Sequence, residues 1–359
     1  MDNKKRNILI AAAIAVPLLI VIIIWVFIFS LPKPASEVMS EEAVETESDV
    51  AVIEEDSVLS LIDAQPIEVE EEKMIAVMIE NHTDSRRQMS GLAEASLVFE
   101  TEAEGGITRF LAFYPYQNTE KVGPVRSVRP YFVRWAEQFD SALAHAGGSD
   151  MGLSAIYNSG RAYDLEGLAL EGADEYFIRD YTYYAPHNLF ANLEELRELM
   201  DDRGWDKPIE DPFVTFGEQE IDDPLGEEAY SADTVHIYYP FPQYFVRYDY
   251  DEENDVYERN QAGAPHIDHA TETQITAANV VVMITNYYPT DEEGRLYLKT
   301  EGSGSMYLFR NGKVHSGTWS KLNSQDTLKF YDENDVELKF EEGNTWVSVV
   351  NFQGGLQWE

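Results

Sequence analysis

The chain has 359 residues, of which 44% are apolar, enough to build sizeable cores in about two domains of ordinary size. Its formal net charge of −40 opposes contact with nucleic acid, so neither DNA nor RNA is expected as a partner. It contains no cysteine, which excludes disulfides, thiolate metal sites, a cysteine nucleophile and a lipid-modified N-terminal cysteine.

Residues 1–7 (MDNKKRN) form a short basic tip, followed by the uncharged apolar run 8–31. At about 1.5 Å per helical residue this run crosses a hydrocarbon core of roughly 30 Å, and it is too long for the apolar core of a cleaved signal peptide. Lys4, Lys5 and Arg6 precede it and an acidic stretch follows, so the positive-inside rule predicts a single-pass protein with a cytoplasmic N-terminus and everything after Leu31 outside the cell membrane. Residues 32–72 read as an acidic linker, too charged to build a core.

The region 73–224 reads as an α/β domain. Strands are predicted at KMIAVMIENH, SLVFETEA, ITRFLAFY and SALAHAG, where short apolar runs are bounded by polar residues. RPYFVRWAEQF starts a helix at Pro130 and puts Tyr131, Trp135 and Phe139 on one face. DMGLSAIYNSG reads as a second helix, and ANLEELRELMDDRG as a third, with Leu193, Leu196, Leu199 and Met200 on one stripe before Gly204. From 225 to 359 the texture becomes β-rich and antiparallel: aromatic, alternating runs such as YFVRYDYD, SMYLFRNGKV and TWVSVVNF are separated by turn signals.

Candidate chemistry gathers in the α/β region. Arg126 and Arg129 precede or open the first helix, where free backbone N–H groups already favour an anion and guanidinium forks match paired oxygens. Ion pairing with neighbouring carboxylates explains them equally well. In AHAGGSD, His145 ends a strand and Gly147, Gly148 and Ser149 let a ligand approach backbone amides; a tight turn capped by Ser149 is the competing reading. The stretch lacks the Lys-Ser/Thr pair of a phosphate-binding loop and the second glycine of a nucleophile elbow. FIRDYTYYAPHNLFAN places Arg179, Asp180, His187 and Asn188 in an aromatic loop, suited either to a sugar or to a packing surface. His266 and His269 around Asp268 are a weak metal signal, and DYDEENDVYE lacks the central glycine of a calcium loop, so no metal site and no cofactor is assigned. Among 66 acidic residues no general acid/base pair stands out.

The ordered set AVMIENH, SGLAEASLVFETEAEGGITRF, KVGPVRSVRPYFV, ALAHAGGS and RDYTYYAPHNLF, with GSMYLFRNGKVHSGTWSK and EGNTWVSVV, resembles the YerB-type bacterial envelope proteins over nearly all of the chain after residue 73. The resemblance implies two extracytoplasmic domains of unknown function, usually on a lipid anchor, which this cysteine-free chain replaces with its apolar run. RFLAFY, GPVRSVRP and ALAHAGG more faintly resemble the LytR-CpsA-Psr phosphotransferases, which implies a pyrophosphate held by Arg109, Arg126 and Arg129. The acidic residue that follows the first arginine in that family is replaced here by Phe110 and Leu111.

The expected function is that of a membrane-anchored binding or accessory protein of the envelope, with an anionic or saccharide ligand, such as a glycopolymer or polyprenyl phosphate, near these residues. The alternatives are a phosphotransferase or hydrolase acting on polyprenyl-phosphate-linked glycopolymers, and a scaffold that takes a protein partner through the β-rich domain.

Overall fold

The structure is a computed structural model and describes residues 58–67, 72–205, 207–209, 212–217, 231–324, 326–352 and 355–359. The basic tip, the predicted anchor at 8–31 and the first part of the acidic linker lie outside the described residues. Among the described residues no helix is long and apolar enough to cross a membrane.

The described chain is mostly β. In chain order the principal elements of its first half are β1 (Ile75–Glu80), β2 (Leu97–Glu104), β3 (Ile107–Tyr114), α1 (Pro130–Ala136), β4 (Ala142–His145), α2 (Asp150–Ser159), β5 (Tyr163–Glu166) and α3 (Leu193–Asp202). The second half adds β6 (Thr234–Ile237), β7 (Val246–Asp251), β8 (Val256–Gln261), β9 (Ala264–Pro265), β10 (Thr276–Ala277), β11 (Asn279–Ile284), β12 (Gly302–Arg310), β13 (Lys313–Lys321), β14 (Lys329–Tyr331), β15 (Thr345–Val350) and β16 (Leu356–Trp358).

Ten strands make one mixed sheet in the order β14-β13-β12-β11-β15-β2-β3-β1-β4-β5. The predicted boundary at Pro224 therefore divides the sequence but not the sheet: β11 and β15, from the second half, run parallel to each other, and β15 runs parallel to β2 from the first. The three helices expected in the first half form, but that half is not a self-contained α/β layer: it supplies five strands of a sheet that the second half completes.

Both faces of that sheet are covered, which explains why its central strands are continuously apolar rather than alternating. On β1, Ile75, Val77 and Ile79 enter one core, shared with Tyr248 and Tyr257 of a second sheet ordered β9-β8-β7-β6-β16. Ala76 and Met78 enter the other core, against Phe132, Val133 and Trp135 of α1. The end of the predicted linker is also folded: Val58–Leu59 pairs with Pro66–Ile67, and Ile62 is fully buried. Asp63, one of the charges that suggested a tether, accepts a hydrogen bond from the Tyr116 hydroxyl at 2.9 Å.

Candidate functional site

β1, β4 and β5 run parallel and end on one side of the sheet, at Glu80, His145 and Glu166. The segment carrying Arg126 to Arg129 is stitched between the first two. The amide of Arg126 donates to the carbonyl of Met78 (2.8 Å), that of Ala146 to the carbonyl of Arg126 (3.0 Å), and that of Val128 to the carbonyl of Gly147 (3.0 Å). The predicted arginines and the glycine loop thus share one edge, although each cation meets a carboxylate there.

Arg109 and Arg129 converge on Glu104. Arg109 reaches Oε1 at 2.5 Å, while Arg129 reaches Oε2 at 2.7 Å and donates from Nε at 2.8 Å. The cluster holds one positive charge in excess, but the two arginines are only 7% and 8% exposed, so their donors face protein. Burial lowers the basicity of Arg109, and Glu104 opposes the effect. Arg129 is the residue that caps α1, yet its guanidinium turns toward Glu104, and α1 is a seven-residue helix with Pro130 in its first turn.

Arg126 pairs with Glu80, whose Oε1 lies 3.0 Å from its Nε. The other oxygen of Glu80 lies 2.8 Å from Nδ1 of His187. The His187 ring stacks on His82 with centroids 5.3 Å apart and planes 22° apart. Glu80 and His82, missed in the sequence, belong to the ENH triplet that ends β1; an acidic residue closing a wholly buried strand was the available signal.

His145 is fully enclosed. Its Nδ1 faces the carbonyl of Gly147 at 2.9 Å and its Nε2 faces Asp164 at 3.0 Å, so it clamps the end of β4 to β5 instead of opening into a crevice. Gly147, with φ +68°, donates its amide to Glu166 Oε1 at 2.9 Å. Gly148 forms a bridge with Val128, and Ser149 caps α2, its hydroxyl accepting the amide of Gly152 at 3.1 Å. The turn-and-cap reading accounts for this loop.

The aromatic loop is arranged differently. Asp180 pairs with Lys121 at 2.7 Å, and hydrogen bonds from Lys121 and Thr182 hold its carboxyl down at about 2. Arg179 donates to the side-chain oxygen of Asn188 at 3.1 Å, a neutral partner, and no carboxylate ion pair joins it among the described residues. It lines a groove of about 580 Å³ with Asp174, Leu168, Ile178 and Tyr181. Tyr181 is 84% exposed. Leu168 also borders Gly147, so the groove adjoins the glycine loop.

A second buried pair escaped sequence reasoning. Arg259 on β8 reaches Glu100 on β2 at 2.6 Å with both side chains wholly buried. Thr108 and Asn81 donate to the other carboxylate oxygen at 2.9 and 3.2 Å. Burial pushes the Glu100 carboxyl up, and Arg259 pulls it back. The guanidinium is also flanked by the rings of Trp346 and Phe110, at 4.7 and 5.5 Å. This pair joins the two sheets. His266 and His269 do not converge: His266 is buried beside Phe110, with centroids 6.0 Å apart, while Nε2 of His269 faces the Tyr183 hydroxyl at 3.3 Å. Asp268 between them accepts the amides of Ala93 and Ala270.

Comparison with known proteins yields a consistent set of relatives. The profile described as the N-terminal domain of a protein of unknown function (DUF3048) matches residues 63–206, and that of the C-terminal domain of the same family matches 235–347. The candidate lipoprotein YerB of Bacillus subtilis (strain 168) is 32% identical over 284 residues, covering 79% of this chain and 82% of YerB. The crystal structure of the YerB protein from Bacillus subtilis is similar in fold, with a TM-score of 0.72 at 27% identity, covering 84% of this chain and 99% of that one.

Proposed function

The chain belongs to the DUF3048 family of proteins of unknown function, and from that premise we propose that it is a membrane-associated, extracytoplasmic accessory protein of the envelope that binds an anionic saccharide in the groove beside Arg179. The name of its relative, a candidate lipoprotein, and the apolar run at 8–31 support the location. The observation that carries the binding reading is the neutral partner of Arg179. Where Arg109 and Arg129 share Glu104 and Arg126 meets Glu80, Arg179 has no carboxylate partner among the described residues and keeps its charge for a ligand, in the lining of a groove walled by Leu168, Ile178 and Tyr181. Aromatic and aliphatic faces that carry a small number of placed polar groups suit a sugar ring with a carboxylate or phosphate substituent. The transferase and hydrolase alternatives lose support, because the arginines that would hold a pyrophosphate are already paired.

Calorimetry with a muramic-acid-containing disaccharide and with its neutral N-acetylglucosamine counterpart tests the reading. The anionic sugar is expected to bind more tightly, and Arg179→Ala to weaken it about 10- to 100-fold, as befits a charge-assisted hydrogen bond. Equal affinities for the two sugars, or an Arg179→Ala protein that binds as before, would overturn it.

A further inference from the structure

We infer that His82, Asp84 and His187 form a binding site for one divalent transition-metal ion of the zinc class. One donor atom from each lies within 4.8 Å of the others. Nδ1 of His82 is 3.7 Å from Oδ2 of Asp84, close to the roughly 3.3 Å edge of a tetrahedron drawn with bonds of about 2.0–2.1 Å. The Asp84 amide donates to that same Nδ1 at 3.2 Å, so the lone pair of His82 already points to the Asp84 side, where an ion would take the place of the amide hydrogen.

His187 supplies the second, independent observation. Its Nδ1 is held by Glu80 at 2.8 Å, which leaves the lone pair on Nε2 when the ring is neutral. A carboxylate behind the non-ligating nitrogen is the arrangement that orients a metal-binding histidine and raises its donor strength. Glu80 is fixed in turn by Arg126 at 3.0 Å, and Gln88 donates to the backbone carbonyl of His187 at 2.6 Å. The His187 imidazole is therefore oriented by the buried Glu80, and His82 is held against it by ring contact, while Asp84 is exposed and free to close on an ion.

Two imidazole nitrogens and one carboxylate select zinc-like ions over calcium or magnesium, which prefer oxygen alone. Three protein ligands leave a fourth position for water or for an anionic group. The site uses no residue of the Arg179 groove, so either can fail without the other. His82 and His187 lie far apart in the sequence, and no short spacing motif reveals them.

Full-length protein in detergent micelles, freed of any affinity tag, is expected to bind one equivalent of Zn2+ in calorimetry and to give the intense visible absorption of four-coordinate Co2+. His82→Ala and His187→Ala should each abolish the cobalt absorption. His82 is partly exposed, so its replacement does not threaten the fold. Glu80→Gln should weaken zinc about 10- to 100-fold without removing a ligand. His269→Ala should change neither signal. Absence of the cobalt absorption in the unmodified protein, its survival in both histidine variants, or its equal loss in His269→Ala would overturn the site.

Discussion

Burial and the identity of the partner decide what each charged side chain can do. Arg109 and Arg129 lie where an anion cradle was expected, but Glu104 occupies it; Arg179 meets a neutral amide instead. The clustering of arginines was legible in sequence, whereas their partners were not, since Glu80, Glu100 and Glu104 are chemically alike until the fold distributes them. The same logic governs His315 on β13. Burial, then Arg310 and Lys313, push its imidazole down to about 4, and the Nε–H of Arg310 donates to its Nε2 at 3.4 Å. The folded state prefers the neutral ring, so this contribution to stability is fully present above an unfolded value of about 6.5 and is lost as pH falls from there toward 4. The loss approaches about 3 kcal/mol. Buried His266, beside Arg259 and Arg86, acts in the same sense. Urea unfolding at pH 7 and at pH 4 should show His315→Gln losing less stability than the unmodified protein; identical losses would show that the ring charges without cost.

At the scale of elements, periodicity and caps located most of the pieces that hold the site. The strand expected at 107–114 forms as Ile107–Tyr114, and the helices begin at Pro130, after Ser149, and after Asn192. The folded hairpin at the end of the acidic linker was missed because a few buried residues, Ile62 among them, outweigh its charge only when a core is there to receive them. Gly152 shows how closely α2 is set on the arginine segment. A Cβ there would lie 2.7 Å from the carbonyl oxygen of Val128. Glycine to alanine in a helix normally stabilises by about 1 kcal/mol. Here Gly152→Ala is expected to destabilise by about 1–3 kcal/mol, because α2 must move off the segment from Arg126 to Arg129. Chemical denaturation checks the sign, and increased stability would show that α2 shifts freely.

On the scale of the whole molecule, β15 is wholly buried between β11 and β2. Separating the chain at 224 would leave β2 with an open edge and deprive β15 of one of its two neighbours, exposing backbone groups that the sheet now satisfies. The described region is therefore expected to unfold in one transition, with calorimetric and van't Hoff enthalpies in agreement, and neither 58–224 nor 225–359 to fold alone. Two resolved transitions would contradict this. Local pattern was sufficient for the order of the main strands and helices and for the region in which the cations gather, because these depend on neighbours within a turn or a strand, and the ordered motifs carried the family likeness. Only the tertiary structure decided that both halves build one sheet, that the helix-start arginines meet Glu80 and Glu104, that Arg259 is buried against Glu100, and that His82 meets His187. Each of these depends on contacts between distant parts of the chain, where burial and pairing rather than spacing set the energy.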